Sequence, residues 1–272
     1  MYTFGRLLWR ARAVPRRYIA GRRPPPVDAD HDLEEILANN KRWVAATNAA
    51  DPTFFPKLAE GQNPQFLYVG CSDSRLVPND MLGLGLGNLF VHRNVANLVV
   101  ASDLNFLSVL TYAVDHLDVK HVLVTGHYDC GGVRAAMKNR GLGVLDGWLT
   151  NIRDVSRLHK AELEAIDDFE QRHRRLVELN VVEQCLNVYK TAVVQRKRLE
   201  THGDPDIAFA YPRIHGLVFD PAEGVLKKLP IDYTKQIAEL GAIYDLFDWD
   251  QDHYMLRKAS RLPSRPPRAT KE

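Results

Sequence analysis

Cysteine is scarce in this chain: among 272 residues there are three, Cys71, Cys130 and Cys185. Three cysteines so far apart exclude a disulfide framework. They fit a reducing compartment, where cysteine spacing more often marks a metal or catalytic site. Long hydrophobic runs are also missing. None approaches the roughly 18 residues that a membrane helix needs, so no membrane span is expected. No internal repeat is present. Acidic residues are absent from positions 1–27, which hold seven Arg and no Lys; the first acid is Asp28. The whole chain carries a net charge of +2, from 36 basic and 34 acidic residues. Without those seven Arg, the body has 29 basic residues against 34 acidic ones, a net of −5. A mildly acidic body gives no reason to expect a nucleic-acid partner.

The acid-free opening interleaves Leu7, Leu8, Trp9 and Val14 with its arginines. This composition reads as an organelle transit peptide over 1–27, mitochondrial ahead of plastid. The alternative is a basic arm on a cytoplasmic protein. Pro24-Pro25-Pro26 would separate the segment from a catalytic domain over 28–250. Residues 251–272 form a second basic, Pro-rich stretch that reads as a disordered tail.

Within the body, His31–Ala46 has helical periodicity, with Leu33, Ile36, Leu37, Trp43 and Val44 apolar. Short β-prone runs follow at Phe66–Val69, Leu89–Val91, His121–Thr125 and Ile207–Tyr211, with an edge strand at Gly224–Leu226. Helices are expected between them. One follows a cap at Ser102-Asp103 and carries Leu104, Leu107, Leu110, Val114 and Leu117 on one face. Another begins at Val133–Lys138. A long one spans Arg175–Glu200, with Leu176, Leu179, Val182, Leu186 and Val193 inward. Alternating strands and helices predict an α/β fold. Its central sheet is mainly parallel, about four parallel strands plus an edge strand, flanked by helices and preceded by a helical arm.

In such sheets, sites gather outside the carboxyl ends of the strands. Cys71 directly follows the first strand, and His127 follows the third by one glycine. If these strands are parallel neighbours, the two residues meet, with Cys130 one turn further on. Two Cys and one His supply three of zinc's four tetrahedral positions, which is the open, catalytic pattern. Cys185, inside a helix, reads as a buried small hydrophobe. Gly131-Gly132 let the backbone approach closely and place Cys130 near a helix start, which favours a thiolate.

Two thiolates cancel the charge of a zinc ion, so a bound water would be acidified less than by three imidazoles. A neighbouring helper is therefore useful. In Cys71-Ser72-Asp73-Ser74-Arg75, alternate residues of an extended turn share a side. Asp73 could reach the metal or its water, and Arg75 could clamp that carboxylate through two bonds. The plainer reading is a surface Asp–Arg pair of little value. The run Gly83-Leu84-Gly85-Leu86-Gly87 lacks dinucleotide-loop spacing and precedes a strand, so that reading is set aside.

Four ordered motifs, CSDSR (71–75), NLFVHRNVANLV (88–99), YAVDHL (112–117) and GHYDCGG (126–132), closely resemble the β-class carbonic anhydrases. The resemblance runs from about Asn39 to Asp220. It implies one Zn2+ per chain on Cys71, His127 and Cys130, and reversible hydration of carbon dioxide to bicarbonate and a proton. It implies attack by zinc-hydroxide, with Asp73 and Arg75 as the catalytic dyad. It also implies a closed state in which Asp73 becomes a fourth ligand. Gln62, Phe90 and Tyr112 match the family's substrate-pocket residues, with the Gly131 backbone a further candidate. Core packing is the plain alternative for Phe90 and Tyr112. A homodimer or higher homo-oligomer is implied, with the N-terminal helix packed on a partner. Three other readings of the residues stay open: a zinc hydrolase of another small substrate, a non-catalytic zinc or bicarbonate-sensing module, and a thiol enzyme with Cys71 or Cys130 as nucleophile and His127 as base.

Overall fold

The computed structural model describes residues 29–202, 204, 207–241, 243 and 244. The expected transit segment 1–27 and the basic tail 251–272 lie outside the described residues. The chain divides into two units at Ala59 and Glu60. The first contains α1 (Ala29–Ala50) and α2 (Phe54–Ala59). Trp43 meets Phe55 edge-to-face, with ring centroids 5.1 Å apart, and so ties the two helices together. The apolar residues Leu33, Ile36, Leu37 and Trp43 are exposed on this chain.

The second unit runs β1 (Phe66–Cys71), α3 (Pro78–Leu82), β2 (Leu89–Asn94), α4 (Leu104–Thr111) and a π turn at Tyr112–His116. It continues through β3 (His121–His127), α5 (Gly131–Ala136), α6 (Leu145–Leu158), α7 (Lys160–Glu164), α8 (Phe169–Tyr189) and α9 (Ala192–His202). It closes with β4 (Arg213–Asp220), β5 (Val225–Lys228) and α10 (Tyr233–Leu240). The five strands form one sheet in the order β2-β1-β3-β4-β5. The first four strands are parallel and β5 pairs antiparallel at the edge. This is the α/β arrangement expected.

Burial explains which strands are central. In β1 and β3 every residue after the first is buried, as in a sheet covered on both faces. β4 instead alternates buried with more open positions along RIHGLVFD. The chain leaves β1 toward β2 on one side and later returns to β3 on the other. The gap between the carboxyl ends of β1 and β3 is therefore the switch point of the sheet, where this topology leaves a crevice.

Three expectations are corrected. Ile207–Tyr211 is not a strand; the fourth strand is β4, beginning at Arg213 opposite His121. Pro212 has no N–H to give to a ladder, so pairing begins beyond it. The long helix is two helices: α8 starts earlier, where Asp168 Oδ1 accepts from the Gln171 N–H at 2.7 Å, and stops at Tyr189. There Gln195 Nε2 donates to the Tyr189 carbonyl at 2.6 Å, and Thr191 Oγ1 to that of Val188 at 2.7 Å. Side chains thus take up the carbonyls that a continuous helix would use. Asp103 does cap α4, accepting from the Asn105 N–H at 3.0 Å. Leu104, however, is 76% exposed while Leu110 and Val114 are buried, so the inward face starts later than the periodicity suggested.

Helix α8 lies against β3 and β4. A Cβ built on Gly126 would fall 2.5 Å from Val181 Cγ2, so glycine is needed for this approach. Gly126→Ala is expected to cost about 1–3 kcal/mol by overpacking against a stiff β-branched side chain. Adding Val181→Ala should recover part of that loss in a denaturant-unfolding double-mutant cycle. Strict additivity of the two changes would refute the contact.

At the other end of the sheet, His121 Nδ1 and His215 Nε2 lie 3.0 Å apart. Burial first, and the neighbouring His121 second, depress His215 to about 4. The folded protein therefore resists a proton that the unfolded chain accepts from about pH 6.5 downward. Stability is fully present above that pH and is lost as pH falls toward about 4. His215→Asn should show a smaller fall in Tm between pH 7 and pH 5 than the wild type. An unchanged fall would rule out this origin.

Candidate metal centre

Cys71 is the last residue of β1 and His127 the last of β3. The pairing of Gly70 with Thr125 sets their ends side by side. After His127, a turn with Asp129 in the left-handed region (φ 56°) carries the chain to Cys130, which precedes α5. All three side chains are buried. The two sulfurs lie 3.9 Å apart. Their atoms and a ring nitrogen of His127 all fall within 4.8 Å of one another. Of the two glycines after Cys130, Gly132 is the constrained one. A Cβ there would stand 2.9 Å from Val95 Cγ1 and 3.2 Å from Ala96 Cβ, whereas one on Gly131 would meet nothing within 4 Å.

His127 Nδ1 donates to the Tyr128 carbonyl at 2.9 Å. That bond assigns the ring proton to Nδ1 and leaves a lone pair on Nε2. Nε2 is buried and has no hydrogen-bond partner. The Cys71 thiol is pulled well below its usual range, first by its hydrogen bond with Cys130, and Cys130 is pushed up by the same bond and by burial. Burial of the two sulfurs 3.9 Å apart opposes a second thiolate beside the first, and a cation between them would offset that repulsion. An orphaned imidazole nitrogen facing two such sulfurs has the donor chemistry of a soft or borderline divalent metal site.

Asp73 stands at its mouth. Arg75 Nε donates to Asp73 Oδ1 at 2.9 Å, and Nη2 to Oδ2 at 2.7 Å. The Arg75 N–H adds a third bond to Oδ1 at 2.9 Å. These contacts, the Arg75 side chain first, hold the Asp73 carboxyl down to about 2. Oδ2 is 3.9 Å from His127 Nε2. The clamp expected between Asp73 and Arg75 forms, but in a hydrogen-bonded turn, with the Leu76 N–H donating to the Asp73 carbonyl at 3.1 Å, and not in an extended one. Arg75 Nη2 also reaches the Asp129 carbonyl at 3.3 Å.

Several supports had no clear signal in the sequence. Arg93, at the end of β2, forks onto the carbonyls of Cys71 (2.9 Å) and Asp73 (2.7 Å), and so holds the loop that bears both. The Ala96 N–H donates to Cys71 Sγ at 3.4 Å. Buried His173, on α8, donates from Nε2 to the Cys130 carbonyl at 3.2 Å. A second group that could hold a metal, Asp129, Glu170 and His173, is already bridged by Arg134. Its guanidinium donates to Glu170 at 2.6 and 2.7 Å and to Asp129 at 3.2 Å.

Phe90 and Tyr112 stack, with centroids 5.7 Å apart at 28°. Phe90 is half-buried and packs against the core, while Tyr112 is 47% exposed. Gln62 is exposed and makes no hydrogen bond to the cluster. Cys185 is buried as expected, and burial pushes its thiol up to about 12. Gly83, Gly85 and Gly87 lead into β2 and do not follow a strand, in keeping with the rejected dinucleotide reading.

Residues 66–226 match the family model described as carbonic anhydrase. A carbonic anhydrase of Emericella nidulans is 50% identical over 220 residues, covering 81% of this chain and 92% of that protein. Among solved structures, a tetrameric β-carbonic anhydrase of Sordaria macrospora is 37% identical with a TM-score of 0.68, covering 74% of this chain and 98% of its own. A β-carbonic anhydrase of Aspergillus fumigatus is 38% identical with the same TM-score of 0.68, covering 78% of this chain and 99% of its own. Extended identity, the shared fold and the clustered Cys71, His127 and Cys130 converge, and the chain belongs to the β-carbonic anhydrase family, the enzymes that hydrate carbon dioxide.

Proposed function

We propose that Cys71 Sγ, His127 Nε2 and Cys130 Sγ hold one zinc ion, at which this chain hydrates carbon dioxide reversibly to bicarbonate and a proton. The observation that carries this reading is His127 Nε2, buried without a hydrogen-bond partner and within 4.8 Å of the Cys71 and Cys130 sulfurs. When bound, zinc supplies Lewis acidity that makes a water acidic enough to attack at neutral pH.

The remaining work falls to the chain. Asp73, ionised throughout the physiological range, accepts a hydrogen bond from the attacking water and aims its lone pair at the substrate carbon. Arg75 holds that carboxylate from both oxygens, which supports an open arrangement over one in which Asp73 becomes a fourth ligand. The stacked Phe90–Tyr112 pair would offer an apolar surface for carbon dioxide. The backbone at Gly131 is a further pocket element, and Gln62 would bring an amide donor from a neighbouring subunit. Water and carbon dioxide combine into bicarbonate, and the released proton leaves to buffer. Burial of Cys71 and Cys130 counts against a thiol nucleophile, which must meet its substrate.

The exposed Leu33, Ile36 and Leu37 on α1, and the tetrameric Sordaria relative, support a homodimer or higher homo-oligomer. The Arg-rich, acid-free residues 1–27 support mitochondrial delivery, with plastid or cytoplasm as the alternatives.

Metal analysis with stopped-flow carbon dioxide hydration tests the chemistry. About one zinc per chain is expected, with activity lost on chelation. Asp73→Asn should keep the zinc while hydration slows by about 10²- to 10⁴-fold, the range for a lost proton-handling group. Full activity in metal-free protein would sink the proposal. For location, a fluorescent fusion should leave the mitochondrion when 1–27 are deleted, and a cytosolic signal from both forms would end that idea.

A further inference from the structure

Helix α8 carries three amides at helical spacing, Asn180, Gln184 and Asn187, on a face turned toward residues 94–99. Asn180 and Gln184 are 1% and 2% exposed, so each polar atom needs a partner. Gln184 Oε1 accepts from the Val99 N–H at 2.7 Å and from Asn187 Nδ2 at 3.3 Å. Gln184 Nε2 donates to Asn180 Oδ1 at 3.1 Å, and Asn180 Nδ2 to the Ala96 carbonyl at 3.1 Å. Asn187 Nδ2 also donates to the Val99 carbonyl at 3.1 Å.

The polarity of this chain of bonds is fixed at both ends. A backbone N–H at Val99 demands the Gln184 oxygen, and a carbonyl at Ala96 demands the Asn180 nitrogen. Between those ends, Ala96 and Asn97 adopt left-handed conformations, with φ 65° and 50°, which alanine avoids by itself. Asn94 closes the loop, accepting from the Leu98 N–H and donating to the Leu98 carbonyl, both at 2.7 Å. Trp148 Nε1 donates to the Val95 carbonyl at 2.9 Å. The outcome is one aimed group: the Ala96 N–H, directed at Cys71 Sγ from 3.4 Å.

We infer that the Asn180–Gln184–Asn187 ladder is a positioning device for the metal-binding sulfur: it holds Ala96 left-handed so that its N–H donates to the Cys71 thiolate. This rests on the zinc reading above. A hydrogen bond to a thiolate draws electron density off sulfur and leaves more positive charge on the ion. In a site with two thiolates, which already offset the charge of the ion, such a bond restores acidifying power.

The test uses cobalt(II)-loaded full-length protein, whose sulfur-to-metal absorption band reports donation from sulfur. Asn180→Leu and Gln184→Met should move that band to longer wavelength. In the zinc enzyme they should shift the pH–rate profile of hydration to higher pH. Val188→Ala, on the same helix and fully buried outside the ladder, serves as the stability control. Band and pH profile unmoved from that control at equal loss of Tm would overturn the inference. Should Asn180→Leu fail to fold, Asn187→Ala at the half-buried end reads the same shift at smaller amplitude, and no shift there counts equally against it. Wild-type protein that takes up no cobalt or zinc would instead overturn the metal reading, and the ladder's role with it.

Discussion

The parallel ladder between β1 and β3 is the interaction on which the rest depends. Six-residue β1 and seven-residue β3 pair from Phe66 opposite His121 to Gly70 opposite Thr125. Strand side chains alternate, so slipping this register by one residue would turn Cys71 or His127 to the other face of the sheet. Burial on both faces specifies the register strongly. The flanking pairs, β1 with β2 and β3 with β4, extend the specification: Cys71 lies opposite Asn94 and His127 opposite Phe219. The candidate metal centre is thus built on strand ends, with only Cys130 brought in by a turn.

Around those ends, the loops are held by groups that touch neither the two sulfurs nor the His127 ring. Arg93 ties down the carbonyls of the CSDSR loop, and His173 ties down that of Cys130. Arg75 restrains Asp73 and reaches across to Asp129, linking the loop after β1 to the loop after β3. Each support is a charged or polar side chain on a backbone carbonyl or a carboxylate. Geometry held this way survives the burial of charge better than packing alone would allow, because each polar group keeps its partner.

Much of this was legible before the fold. Short motifs showed the likeness to a family, and the strand–glycine–His and strand–Cys junctions implied that Cys71 and His127 meet. Asp73 and Arg75 were readable because a two-residue spacing is a local constraint, though the segment closes into a turn and is not extended. The mistakes came where local pattern and tertiary pairing disagree. Ile207–Tyr211 is apolar enough for a strand, but the residues that pair with β3 start after Pro212. The break at Tyr189 depends on Gln195 folding back onto its carbonyl, which no periodicity records. The amides of α8 sit among the expected apolar positions and look like a solvated face until residues 94–99 are placed against them.

The sequence by itself determined the chemistry on offer: two thiols, an imidazole and a clamped carboxylate, at the ends of elements that alternate as an α/β chain must. Residue type and local spacing suffice for that, because donor identity and short-range geometry are local properties. Only the tertiary structure decided the lone pair on His127 Nε2, the 3.9 Å between the sulfurs and the N–H aimed at Cys71. Those depend on which groups are buried together. Burial sets two thiols beside an imidazole nitrogen that has no hydrogen-bond partner, and no stretch of sequence carries that fact alone.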